Sequence, residues 1–234
     1  MTSPATPVLG LEQPRAAMIL AAGRGERMRP LTDSCPKPLL KVRGKPLIER
    51  HVERLALAGI GRIVINLAWL GSMIREYLGD GSRYGVAIRY SEEEPHALET
   101  AGGIFRALPH LGPGAFLTVN GDIFTDFPFA TAALARDRDA HLVLVPNPLE
   151  HPAGDFGLQQ GRALPSAALQ YTFGGIAVYR PQFFANCVDG VFPLKPLLLQ
   201  SMQSGRCSAE LYSGVWEDVG TPQRLRALNG DSRD

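Results

Sequence analysis

The sequence predicts a single α/β domain built on a mostly parallel central sheet with helices on both faces. Three observations point there. Short apolar runs alternate with stretches of helical period through the first half of the chain. Such β-α repeats favour parallel pairing through right-handed crossovers. The 234 residues are also enough to bury one sizeable core without disulfide or metal staples.

Residues 17–22 are the first expected strand, an apolar run that ends at Gly23. Residues 47–58 follow as a helix, with Leu47, Ile48, Val52, Leu55 and Ala56 on one face and Gly59 as its stop. Residues 62–66 (RIVIN) read as a strand, 69–78 as a helix, 86–90 as an alternating strand, 99–108 as a helix and 116–120 as the fourth strand. The order β-α-β-α-β-α-β is that of a doubly wound sheet. Regularity then falls. Residues 140–145, 155–159 and 173–179 are expected strands, 194–203 a helix ended near Gly205, and 213–218 a short strand. Thr221-Pro222 places a capping residue before a proline and so opens the last helix.

Lys and Arg number 24 against 23 Asp and Glu, a net charge of +1. That balance argues against bulk attraction to nucleic acid or an anionic membrane, so local cations must act specifically. Cys35, Cys187 and Cys207 are scattered and odd in number, and a reducing cytoplasm is the expected compartment. No apolar run approaches the roughly 20 residues of a membrane span. Residues 1–15 lack the basic-then-apolar pattern of a signal peptide and are expected to be a flexible extension ahead of a domain at 16–234. The five histidines show no metal-ligand spacing, and there is no G-x-S-x-G nucleophile elbow.

The densest chemistry follows the first strand. An apolar run feeding the Gly23 and Gly25 turn points backbone N–H groups at a phosphate, and Arg27, Arg29 and Lys37 bring cations beside it. Pro36 and Pro38 stiffen the backbone that carries Lys37. The dinucleotide pattern G-x-G-x-x-G fails at Met28, and the P-loop pattern fails because Gly44-Lys45 is followed by Pro46. Ligands of doubly wound sheets sit at the carboxyl ends of strands, where Asn66 and Asn120-Gly121-Asp122 are expected. An aspartate there suits Mg²⁺ held over phosphates, or equally a turn or helix cap.

Residues 20–32 (LAAGRGERMRPLT) with 36–40 (PKPLL) resemble the signature of sugar-nucleotide nucleotidyltransferases, and residues 216–222 (WEDVGTP) resemble that family's W-x-D-[VI]-G-T-P. The resemblance implies a single Rossmann-like, GT-A-like nucleotidyltransferase domain, with a nucleotide-binding half over residues 16–125 and a sugar-binding half over 126–234. It implies Mg²⁺ on Asp122 and Asp218, Lys37 on the sugar phosphate, and Arg27 on the triphosphate and departing pyrophosphate. Leu20, Ala21, Ala22, Gly23, Gly25, Asn120 and Gly121 are implied to bind the nucleotide. Glu99, Thr100, Gly102, Gly174 and Gly175 are implied to bind the sugar.

Residues 98–103 (LETAGG) resemble the L-E-T-G-G-G of N-acetylmuramate-1-phosphate uridylyltransferases, departing at Ala101, whereas mannose-1-phosphate guanylyltransferases carry L-G-T-A-G. The expected reaction is transfer from a nucleoside triphosphate to a sugar 1-phosphate, with UTP and N-acetylmuramate α-1-phosphate favoured. A GTP-dependent mannose-1-phosphate enzyme and a silent nucleotide-sugar sensor compete with it. Base choice is expected to rest on residues 20–23 and 92–95.

Overall fold

The computed structural model describes residues 10–93 and 97–230. Its frame is a nine-stranded sheet. Strands β1 (Ala16–Leu20), β2 (Arg62–Leu67), β3 (Ala87–Glu92) and β4 (Phe116–Asn120) lie parallel in the order β4-β1-β2-β3. β1 is central and covered on both faces, which is why it reads as an unbroken apolar run rather than an alternation.

Helices α1 (Leu47–Leu57) and α2 (Gly71–Leu78) cover one face, where Ile48, Val52, Leu55 and Ile74 meet Ile19, Ile63 and Ile65. Helix α3 (Glu99–Leu111) covers the other, placing Ala101, Ile104 and Ala107 against Met18, Val64 and Phe116. Each fully buried aliphatic chain contributes roughly 1.5–3 kcal/mol, so the strand ends are held by a stiff base. Gly59, at φ +81°, ends α1 in the left-handed turn its sequence implies.

After β4 the chain forms β5 (Ile123–Thr125), which leaves the main sheet. Strands β6 (Ala140–Val145), β7 (Phe156–Gln159), β8 (Arg162–Leu164), β9 (Gln170–Tyr179) and β10 (Cys207–Leu211) then extend it in the order β6-β10-β8-β7-β9-β4, and β6 also pairs with β9. Helix α4 (Lys195–Gln203) precedes β10 and packs with α3's face. The α/β class and the helices on both faces are as expected. The sheet is parallel only from β4 through β3; beyond β4 every pairing but β6–β10 is antiparallel. The reason is connection length: β7 and β8 are joined by Gln160-Gly161, both at positive φ, a two-residue turn that can link only antiparallel neighbours.

Strand β11 (Trp216–Asp218) pairs antiparallel with β5 as a separate ribbon, and helix α5 (Pro222–Asn229) follows. Thr221 caps α5 as its sequence implies, its Oγ1 accepting from the Arg224 N–H. Residues 10–15, expected within the extension, are instead packed on the domain: Leu11 pairs with Ala135, and a Glu12 oxygen lies 2.7 Å from the Arg180 guanidinium. Residues 1–9 lie outside the described residues, as do 94–96, which include the second half of the base-reading loop expected at 92–95. Among the described residues no helix is long and apolar enough to cross a membrane.

Candidate active site

The turn after β1 is built before any ligand arrives. The Ala21 N–H donates to Asn66 Oδ1 at 2.8 Å, which ties the ends of β1 and β2 together. Gly25 adopts φ +70°, and a Cβ there would sit 3.0 Å from the Thr32 methyl, so glycine is required by both backbone and space. Arg24 points away from the turn: it lies over the Trp69 ring at 3.8 Å and donates to the Thr32 carbonyl. Arg29 pairs with Asp33 at 2.9 Å on the surface. Arg27, 68% exposed, and the buried Lys37 are the signature cations aimed at the cleft.

Asp122 lies two residues beyond β4. Gly121 donates its N–H to the Leu20 carbonyl at 2.9 Å, and the Asp122 carbonyl accepts from Val219 at 2.9 Å. The β5–β11 ribbon opposes Asp218 to Ile123, so two aspartates distant in sequence become neighbours. Lys37 Nζ lies 2.5 Å from Asp122 Oδ2 and 3.8 Å from Asp218 Oδ1. Asp218 Oδ2 lies 3.6 Å from the Arg27 guanidinium and 3.1 Å from that of Arg224. Burial, and then the Asp122 charge, raise the Asp218 carboxyl pKa, while Lys37 and Arg27 oppose them. The site is thus a pair of carboxylates in need of positive charge, with an ammonium within reach of both.

Two carboxylates offering hard oxygen donors suit a divalent cation that takes its remaining ligands from phosphate and water. Among the described residues no group of three or more His, Cys, Asp or Glu side chains gathers as a closed metal site. Asp122 and Asp218 are the two residues that could hold such a cation, with a phosphorylated substrate completing its oxygen ligands.

Three cavities meet here. The first, about 220 Å³, is lined by Leu20, Ala21, Ala22, Gly23, Asn66, Glu93, Glu99, Thr100 and Asn120. The second, about 390 Å³, is lined by Asn120, Glu150, His151, Thr172, Gly174, Gly175, Trp216, Asp218 and Arg224. The third, about 250 Å³, runs past Gly23, Gly25, Arg27 and Lys37. Asp122 lines all three.

The five residues expected to share a sugar site do not lie together. Glu99 and Thr100 join the Leu20-to-Gly23 turn in the first cavity, whereas Gly174 and Gly175 line the second. Gly102 lines neither: its N–H donates to the Phe192 carbonyl, and a Cβ there would meet the Gly190 carbonyl at 2.2 Å. Gly121 lines none of the three and is a packing glycine against β1. Gly174 and Gly175 form a bulge in β9 that shifts its register against β6. Gly175, at φ +70°, leaves room for Asn120, and the Gly174 carbonyl accepts from Trp216 Nε1 at 2.8 Å.

The sequence placed Glu93 only within the 92–95 stretch expected to read the base and gave it no role of its own; it is 2% exposed. Its Oε1 accepts from Asn66 Nδ2 at 2.6 Å and its Oε2 from the Leu98 N–H at 2.8 Å. It thereby joins β2, the end of β3 and the start of α3 behind the first cavity, where Glu99 takes φ +57°. An acidic residue at the carboxyl end of a parallel strand was the available signal, but three glutamates in a row obscured it. Glu150 and Arg224 were also missed, since neither belongs to a recognisable phosphate motif.

A family model described as nucleotidyl transferase matches residues 16–161. The chain belongs to the nucleotidyl transferase family. This nucleotidyl transferase is 51% identical over 224 residues to the N-acetylmuramate alpha-1-phosphate uridylyltransferase of Neisseria meningitidis serogroup B, a match covering 90% of this chain and 95% of that protein. It is 34% identical over 230 residues to the protein of the same name from Caulobacter vibrioides, covering 91% and 94%. The inositol-1-phosphate CTP transferase of T. maritima superposes with a TM-score of 0.76 at 17% identity, covering 95% of this chain and 99% of that one. HddC of Yersinia pseudotuberculosis superposes at 0.75 and 19%, covering 93% and 99%. Those two likenesses concern the fold.

Proposed function

We propose that this nucleotidyl transferase is a sugar-1-phosphate uridylyltransferase, converting UTP and N-acetylmuramate α-1-phosphate to UDP-N-acetylmuramate and pyrophosphate. The observation that carries the reading is Asp122, which borders all three cavities and is ringed by Lys37 and Asp218. The names of the Neisseria and Caulobacter relatives support UTP and the muramate sugar. The three free cysteines fit a reducing cytoplasm.

In the proposed reaction a sugar-phosphate oxygen attacks the α-phosphorus, the α–β phosphoanhydride bond breaks, and pyrophosphate leaves with the bonding electron pair. A phosphate monoester has a second pKa of about 6, so the acceptor is already a dianion near neutral pH and no general base is needed. The obstacle is mutual repulsion between anions. Lys37 offsets charge where the acceptor and the α-phosphate meet, and Arg27 steadies the departing pyrophosphate in the third cavity. Mg²⁺ on Asp122 and Asp218 would supply further neutralisation and orientation of phosphate oxygens. The first cavity takes the nucleoside, and Glu99 and Thr100 are assigned to it rather than to the sugar. The second cavity takes the sugar.

The test is pyrophosphate release with Mg²⁺ across the four nucleoside triphosphates and a set of sugar 1-phosphates. UTP with N-acetylmuramate 1-phosphate is expected to give the highest kcat/KM. Turnover confined to GTP with mannose 1-phosphate rejects the proposal, and no turnover with any pair favours the silent sensor.

A further inference from the structure

N-acetylmuramate differs from N-acetylglucosamine by a lactyl ether that carries a carboxylate. On the reading above, which this inference rests on, its 1-phosphate brings two separate anions into the site. The phosphate meets the charges around Asp122. The carboxylate needs a second cation within the sugar cavity.

Three basic side chains line that cavity. Arg27 is largely exposed and also lines the phosphate channel, and His151 lies 3.3 Å from Asp155. Arg224 is the remaining one, 21% exposed, and of the three cavities it lines the second alone. Its guanidinium is anchored on one side, where Nη1 donates to the Asp218 carbonyl and Oδ2, each at 3.1 Å. Nη2 is paired with Glu150, a half-exposed carboxylate next to the fully exposed Leu149. Thus a carboxylate already sits on the free edge of Arg224, supplied by a loop residue that solvent can receive.

We infer that Arg224 is the specificity-determining residue for the acidic sugar, its guanidinium edge taking the lactyl carboxylate in exchange for Glu150. Arginine suits this because its planar fork matches a carboxylate in a way lysine's point charge does not. N-acetylglucosamine 1-phosphate has no group to displace Glu150 and forfeits the exchange.

The experiment compares kcat/KM for N-acetylmuramate 1-phosphate and N-acetylglucosamine 1-phosphate in the wild type, Arg224→Gln and Arg224→Lys. Arg224→Gln is expected to lose about 100-fold with the acidic sugar relative to the neutral one, the scale for truncating one partner of a buried charge pair. Arg224→Lys retains part of the preference. Calorimetric affinities for UDP-N-acetylmuramate and UDP-N-acetylglucosamine give the same ratio without turnover, so a general disturbance of Asp218 cancels. An equal loss with both sugars, or a wild type that does not discriminate them, overturns the inference. Failure of the parent reading is distinct: there the wild type turns over other substrate pairs and neither of these.

Discussion

His51 offers a test of the packing directly behind the site. It sits on α1, 2% exposed, beside Phe129, and neither ring nitrogen meets hydrogen-bond geometry. Burial pushes its pKa down from 6.5 to about 4, against a weaker pull from the Ile123 backbone and the Asp122 charge. The folded protein therefore keeps the ring neutral where the unfolded chain protonates it. Between those two pKa values the unfolded state binds the extra proton, so this contribution is complete above pH 6.5 and is lost as pH falls toward 4. A gap of about 2.5 pH units at about 1.36 kcal/mol each bounds the loss at about 3.4 kcal/mol, with about 2.5 kcal/mol gone by about pH 4.5. That is a large part of a total of about 5–15 kcal/mol. The perturbation is His51→Leu, which fills the space and cannot titrate. Urea unfolding of both proteins near neutral pH and near pH 4.5 removes the carboxylate titrations they share. The variant is expected to gain about 2.5 kcal/mol on the wild type across that interval. Parallel loss of stability in the two proteins would refute a buried neutral histidine.

Four further outcomes follow from the site. Lys37→Ala should cut kcat by about 10²–10³ with the circular dichroism spectrum unchanged, and near-normal turnover rejects its role against phosphate charge. Asp122→Asn should lose turnover on a similar scale and need more Mg²⁺; an unchanged Mg²⁺ titration contradicts its place as a ligand. Gly175→Ala puts a methyl 2.6 Å from Asn120 Nδ2 at φ +70°, so a cost of about 1–3 kcal/mol in thermal unfolding and a higher KM for the sugar phosphate are expected. Glu93→Ala frees Asn66 and the Leu98 N–H, and should raise KM for UTP about tenfold with little change for the acceptor, at about 1–2 kcal/mol of lost positioning. Equal rises for both substrates contradict that.

The parts legible in the sequence are those written locally. β1 is an unbroken apolar run, α1 has one apolar face and a glycine stop, and Thr221-Pro222 is a cap with a preformed first turn. Lys37, Asp122 and Asp218 were legible as residues of motifs. Their meeting was legible only through the family resemblance and not from local pattern, because the β5–β11 pairing that makes it joins strands of three residues each, too short for any period. β8 and β10 were missed for a similar reason: β8 has three residues and β10 is only partly buried. The side on which Glu99 and Thr100 fall depends on how α3 enters the sheet, and that is set by Glu93 from another element. Residues 10–15 look like an extension because the partner of Glu12, Arg180, is far along the chain.

The first and second cavities share only Asn120 and Asp122 among their lining residues. The walls of the first come from the βαβ half, and most of the second from β9, β11, α5 and the loop that carries Glu150. Acceptor choice can therefore be re-engineered as a graft: replacing the loop with Glu150 and the first turn of α5 exchanges one sugar wall for another while the donor half keeps its hydrogen bonds. On the proposed reading, a chimera made at that seam is expected to take its nucleotide preference from one parent and its sugar preference from the other.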